Sequence, residues 1–153
     1  MSAQAAIKPN TGTTTKPSLT LKRRLKATPD KVFAAWTDPE KMTRWMGPPN
    51  VLKVEAESDL RVGGRYHVRM IVPGDTHDVS GVYREIEPDK KVVFTWAWKS
   101  TPERESLVTV TCKPDGTGTI MTLLHEQFFD EEARDRHNTG WAGAIDKLEK
   151  LFA

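Results

Sequence analysis

Apolar and polar positions alternate most cleanly over residues 61–72, where Tyr66, Val68, Met70 and Val72 share one parity and Arg65, His67 and Arg69 the other. A period of two is that of a strand with one face buried and one in water. Gly63-Gly64 just ahead lets the backbone turn sharply through positive φ. Further strand-like runs follow at 77–87, 91–99, 107–113 and 119–126. In the run over 91–99, Val92, Phe94, Trp96 and Trp98 fall on one parity. Pro73-Gly74-Asp75, Pro88-Asp89-Lys90 and Pro114-Asp115-Gly116-Thr117-Gly118 have turn composition. Residues 51–58 form a strand of edge character, because Lys53, Glu55 and Glu57 interrupt its apolar positions. Leu19, Leu21 and Leu25 give residues 19–27 an imperfect half-buried strand pattern. Strands this close together, with short turns, predict an antiparallel meander rather than strand–helix–strand units.

The period changes to that of a helix in two places. Over residues 28–45, Thr28 is placed to cap a first helix by accepting a first-turn N–H, with Pro29 at the first helical position. Val32, Phe33 and Trp36 share a face of that helix. Thr37 or Asp38 caps a second one, Pro39 follows, and Met42, Trp45 and Met46 make its apolar face. Gly47-Pro48-Pro49-Asn50 then marks a loop. From Asp130 onward Trp141, Ala144, Ile145, Leu148, Leu151 and Phe152 recur at steps of three and four, predicting a long terminal helix. Asp130-Glu131-Glu132 suit its positive end, and Lys147 and Lys150 its negative one. Gly140 and Gly143 each weaken a helix by about 1 kcal/mol relative to alanine, and are expected to allow close approach to the sheet. The sum is an α+β domain. A curved antiparallel sheet of about six to seven strands wraps a long C-terminal helix, with two short helices after the first strand. The volume left between sheet and helix is an apolar cleft of the kind that holds small ligands.

Composition narrows this further. A chain of 153 residues fits one domain. Residues 1–18, rich in Thr, Ala, Lys and Pro without apolar periodicity, read as a disordered tail before a domain over 19–153. The formal charge of +2 gives no reason to expect nucleic acid as a partner, and no apolar run is long enough for a membrane span. The one cysteine, Cys112, cannot form an intramolecular disulfide, fits a reducing cytoplasm, and reads as a buried thiol rather than a nucleophile.

The element order and several residue runs resemble the START-like, Bet v-type (SRPBCC) helix-grip superfamily. Within it, the branch is that of the C-terminal domain of the heat-shock-protein-90 ATPase activator. The runs are Val32-Phe33, Trp36-Thr37-Asp38-Pro39-Glu40 with Trp45, and 59–66 (D-L-R-V-G-G-R-Y). With them go 81–88 (G-V-Y-R-E-I-E-P), 92–96 (V-V-F-T-W), Gly118-Thr119 with Leu123, and Gly140-Trp141 with Leu148. The resemblance covers the chain from about Leu19 onward and implies the fold. It also implies a stand-alone, bacterial-type member. The eukaryotic activators carry a separate N-terminal chaperone-binding domain where this chain has only a short tail, so a chaperone is not the favoured partner.

No compact catalytic or metal motif is present. His67, His77, His125 and His137 are spaced by ten residues or more, without a C-x-x-C, a P-loop or a G-x-S-x-G. No metal and no cofactor is therefore expected. His125 ends the last strand on the parity of Met121 and Leu123, which makes it the one candidate for a catalytic base. Around the cleft, Trp45, Tyr66, Met70, Trp96, Trp98, His125 and Trp141 are the expected ligand-binding residues. The expectation is a binding protein for a hydrophobic or amphipathic small molecule. The alternatives are a cyclase- or hydrolase-type enzyme with His125 as base, and a chaperone-interaction module. Strand edges leave a homodimer open.

Overall fold

The computed structural model describes residues 16–153. In chain order the elements are β1 (Leu19–Leu25), α1 (Pro29–Thr37), α2 (Pro39–Met42), β2 (Lys53–Ser58), β3 (Arg65–Val72), β4 (Asp75–Glu87), β5 (Lys91–Trp98), β6 (Ser106–Asp115), β7 (Gly118–Glu126) and α3 (Glu131–Leu151). The seven strands form one antiparallel sheet in the order β1-β7-β6-β5-β4-β3-β2. Strands β2 to β7 are the expected meander. β1 closes the far side by pairing with β7, Leu19 opposite His125 and Leu21 opposite Leu123. β2 is an edge, which explains why charged residues are tolerated at Lys53, Glu55 and Glu57.

The alternation on β3 is realised, with Tyr66, Val68, Met70 and Val72 buried. On β5 the simple parity fails, because Val93 and Thr95 are buried along with Val92, Phe94 and Trp96. Thr95 has polar work on its own face. Its hydroxyl accepts the Val82 N–H at 2.9 Å, and its carbonyl accepts the Tyr66 hydroxyl at 2.6 Å. A Cβ on Gly81 would lie 1.9 Å from that same carbonyl, so only glycine fits there.

The first early helix forms as expected; the second is shorter, ending at Met42 so that Trp45 and Met46 lie beyond it, and the caps differ. The Thr28 hydroxyl donates to the Asp30 carboxylate, which orients it toward that side chain, and it accepts no backbone N–H. Asp38, not Thr37, caps α2 by accepting the Glu40 N–H at 3.0 Å. The Thr37 hydroxyl turns back to the Phe33 carbonyl at 2.9 Å.

Asp130 caps α3 through the Ala133 N–H at 2.8 Å. Trp141, Ala144, Ile145 and Leu148 form its buried face and Phe152 packs half-buried against the core just past its end, whereas Leu151 is 47% exposed and leaves the apolar row. The glycines of α3 do not bring it onto the sheet. A Cβ at Gly140 would meet nothing within 4 Å, and one at Gly143 would make ordinary contact with Pro49 of the α2–β2 loop at 3.5 Å. The helix is held laterally instead. Arg23 of β1 pairs with Asp146 at 2.9 Å and Glu149 at 2.6 Å. Lys147 Nζ lies 3.4 Å and 3.3 Å from the carbonyls of Met46 and Pro48.

Cys112 is buried on β6, and burial pushes its thiol up to about 12, far from nucleophile chemistry. Most of the expected tail lies outside the described residues. Within them, the Pro17 carbonyl already accepts the Phe128 N–H at 3.1 Å. No described helix is long and apolar enough to cross a membrane.

Candidate functional site

The site arises where a two-residue period on β5 meets a helical period on α3. Trp96 and Trp98 project from β5 on one parity, and His137, Trp141 and Ala144 lie at steps of four and three along α3. Trp96 packs on Trp141 with ring centroids 4.9 Å apart and stands edge-on to Trp98 at 5.5 Å. Between them and Met70 of β3 is a cavity of about 300 Å³, walled on a third side by Met46, Gly47 and Pro48 of the α2–β2 loop. Exposed His77, Ser100 and Arg136 complete its lining. A second cavity of about 230 Å³ shares Trp96, Trp98, Ser100, Arg136 and His137 and reaches Arg104, Ser106, Phe128 and Phe129. The Arg104 guanidinium sits 3.9 Å from the Phe129 ring centroid.

Four of the residues expected at a ligand site, Met70, Trp96, Trp98 and Trp141, border the larger cavity. Three do not. Trp45 is fully buried, edge-on to Trp36 at 4.7 Å, and its indole N–H is spent on the Ala35 carbonyl at 2.9 Å. Tyr66 is buried against Phe94 and Tyr83 and faces only a void of about 10 Å³. Burial lifts its phenol well above the ordinary range. His125 lies behind the cavity wall, fully buried.

The hydrogen bonds of His125 fix its tautomer. An indole N–H can only donate, so Trp141 Nε1 donating to His125 Nδ1 at 3.0 Å leaves that nitrogen without a proton. Nε2 then carries the hydrogen and donates to Ser106 Oγ at 2.7 Å, while Ser106 Oγ donates to the Trp96 carbonyl at 3.2 Å. The Ser106 hydroxyl is thus a relay between β7 and β5. His125 does not withdraw its proton, as a base activating a nucleophile must. Burial pushes the imidazole down to about 2, with His137 nearby acting in the same direction. In this arrangement His125 is a neutral structural connector.

His137, which carried no separate expectation, forms the opposite tautomer. Trp98 Nε1 donates to its Nε2 at 2.8 Å, and its Nδ1 donates to the Ala133 carbonyl at 2.7 Å. Burial lowers its pKa too. Two indole–imidazole pairs therefore support the cavity, Trp98–His137 in its lining and Trp141–His125 reaching behind it. Among the described residues, no group of three or more His, Cys, Asp or Glu side chains is placed to hold a metal ion. What the arrangement can do is enclose an apolar molecule between indole faces. The sequence signal for His137 was its place four residues before Trp141; of the loop wall, Met46 was expected on the apolar face of the second helix, and Gly47-Pro48 gave only a loop signal.

The architecture, a curved sheet with two early helices and a C-terminal helix, defines the helix-grip class. The family described as "Activator of Hsp90 ATPase homolog 1-like protein" matches residues 26–153, and the chain belongs to that family. It is 24% identical over 123 residues to the human "Activator of 90 kDa heat shock protein ATPase homolog 1", the match covering 80% of this chain and 33% of that protein. Among solved structures, it resembles the AHSA1 protein from Silicibacter pomeroyi at 28% identity and a TM-score of 0.76, covering 88% of this chain and 96% of that one. A protein from Chromobacterium violaceum matches in fold at 24% identity and a TM-score of 0.78, covering 88% and 96% of the two chains.

Proposed function

We propose that this chain binds a hydrophobic or amphipathic small molecule in the cavity between β5 and α3. The observation that carries the reading is the cavity itself, about 300 Å³, lined by Met46, Met70, Trp96, Trp98 and Trp141. The recess opens to solvent past His77, Ser100 and Arg136, and an apolar recess with a few polar groups is the usual form of a ligand site. The test is native mass spectrometry of the purified protein for a co-purifying mass, repeated on Ala144→Phe, which puts a ring into the cavity from the α3 side. A bound mass in the wild type and none in the folded variant is the expected outcome. A mass retained by Ala144→Phe would place the ligand elsewhere.

The family and the human relative favour a second reading, stimulation of a chaperone ATPase through the outer surface. This chain corresponds to a third of that relative, so the relative's whole activity is not carried over directly. An ATPase assay with purified chaperone decides it. A rate unchanged by saturating protein removes this reading and leaves the cavity reading untouched.

A further inference from the structure

The cavities of about 300 Å³ and about 230 Å³ share Trp96, Trp98, Ser100, Arg136 and His137, which makes them two chambers of one recess beside β5 and α3. Their charge is one-sided. Arg136 reaches the shared rim from α3, and Arg104 lines the smaller chamber from the loop between β5 and β6. Among the described residues, no Asp or Glu belongs to either lining.

Both arginines keep donors for a further partner. Arg104 is held over the Phe129 ring at 3.9 Å, a contact that supplies no oxygen acceptor to its guanidinium. The carboxylate within 4 Å of it is that of Glu103, at 3.9 Å from Nε, too long for a hydrogen bond. Arg136 pairs with Glu132 at 3.1 Å, but the two side chains are 59% and 78% exposed, and an ion pair in water along one helix holds weakly. A guanidinium presents five N–H groups in a planar fork that matches a carboxylate.

Exposure decides where a charged group can sit. Ser100, Arg104 and Arg136 are exposed, whereas Trp96, Phe128 and Ala133 behind them are buried. An anion at this rim stays partly hydrated and gains charge-assisted hydrogen bonds, while an apolar body further in only sheds water. A cationic head would meet two like charges in the same place. Resting on the cavity reading, we propose that the ligand is an anionic amphiphile, its apolar body in the larger chamber and its carboxylate-type head held at the rim by Arg104 and Arg136.

Octanoate and octanamide test this, since they share the apolar chain and differ in the charge of the head. Each is titrated into the full-length wild type, Arg104→Gln, Arg136→Gln and Arg104→Lys, with binding followed by NMR shifts of the indole N–H signals. The expected result is octanoate bound about tenfold more tightly than octanamide by the wild type at low salt. Either glutamine variant narrows that ratio, Arg104→Lys retains part of it, and octanamide binds all four proteins alike, which shows that the apolar chamber is intact. Equal affinity for the two compounds in the wild type, or a preference for octanoate that survives both glutamine substitutions, overturns the anionic assignment and leaves the cavity reading standing. Absence of octanoate binding likewise overturns it, and a co-purifying mass then still supports the cavity. Octanoate bound equally well by Ala144→Phe removes the cavity reading and this inference with it.

Discussion

The concave face holds two aromatic clusters made from the same residue types. Below α1 and α2, Trp36, Trp45, Tyr66, Tyr83 and Phe94 pack edge to face and leave a void of about 10 Å³. Next to them, Trp96, Trp98 and Trp141 surround about 300 Å³. The polar handles differ as sharply as the volumes. In the filled cluster Trp45 and Tyr66 donate to backbone carbonyls at 2.9 and 2.6 Å, acceptors fixed by helix and strand. In the open cluster two indoles rely on imidazole nitrogens, and the third has no acceptor among the described residues. Aromatic content alone does not separate a core from a ligand wall, and neither does the type of acceptor, since Trp36 in the filled cluster donates to Met121 Sδ; the volume left between the rings does.

Truncation breaks this comparison most directly. Trp36→Ala, in the filled cluster, is expected to cost about 3–5 kcal/mol in urea unfolding. Trp98→Ala, beside a space already empty and on a half-buried side chain, is expected to cost less than about 2 kcal/mol. Equal losses would erase the distinction between the clusters.

Acid probes the open side next. The folded state holds His125 neutral, with a pKa of about 2 against an ordinary 6.5. The unfolded chain takes up that proton first, so the histidine's contribution is complete above pH 6.5 and declines as the pH falls toward 2. Between pH 6.5 and about pH 4.5 the loss approaches about 2–3 kcal/mol. His137 acts in the same direction. Asp78, held low by Arg69 and His67, gives its stability up only below the usual carboxylate range, outside this window. His125→Gln should flatten the curve in chemical denaturation across these pH values. A wild type with no slope there contradicts the neutral-connector assignment.

The smallest effect comes from added bulk. Gly140 borders the cavity, and a Cβ there meets no atom within 4 Å, so Gly140→Ala should raise stability by about 0.5–1 kcal/mol through helix propensity alone. A thermal melt shifted downward would show that the open side is tighter than its geometry indicates.

The fold was legible wherever periodicity is a local property: the alternation of β3, the terminal helix face, the paired prolines at Pro29 and Pro39, the edge charges of β2. The site was legible only in part, because lining a cavity is a statement about volume that distant neighbours leave empty. Trp45 and Trp141 looked alike in sequence and both pack on Trp36, at 4.7 and 5.4 Å between ring centroids; only the empty volume beside Trp141 separates them. His125 was placed on the inward parity beside Met121 and Leu123, and all three are buried. Nothing local announced that an indole from α3 and a serine from β6 would occupy both its nitrogens. Thr28 failed for a nearer reason, since Asp30 competes for its hydroxyl within the same turn.

The contact of Lys147 with the carbonyls of Met46 and Pro48 has a mechanical meaning. The loop wall of the cavity is fastened to α3, which also carries Trp141 and Ala144, while the facing wall belongs to β3 and β5. The cavity is thus a jaw with two members, a helix-plus-loop half and a sheet half. The two halves are bolted together by the Trp98–His137 and Trp141–His125 hydrogen bonds, and the exposed clamp from Arg23 to Asp146 and Glu149 ties the helix half to the sheet's β1 edge.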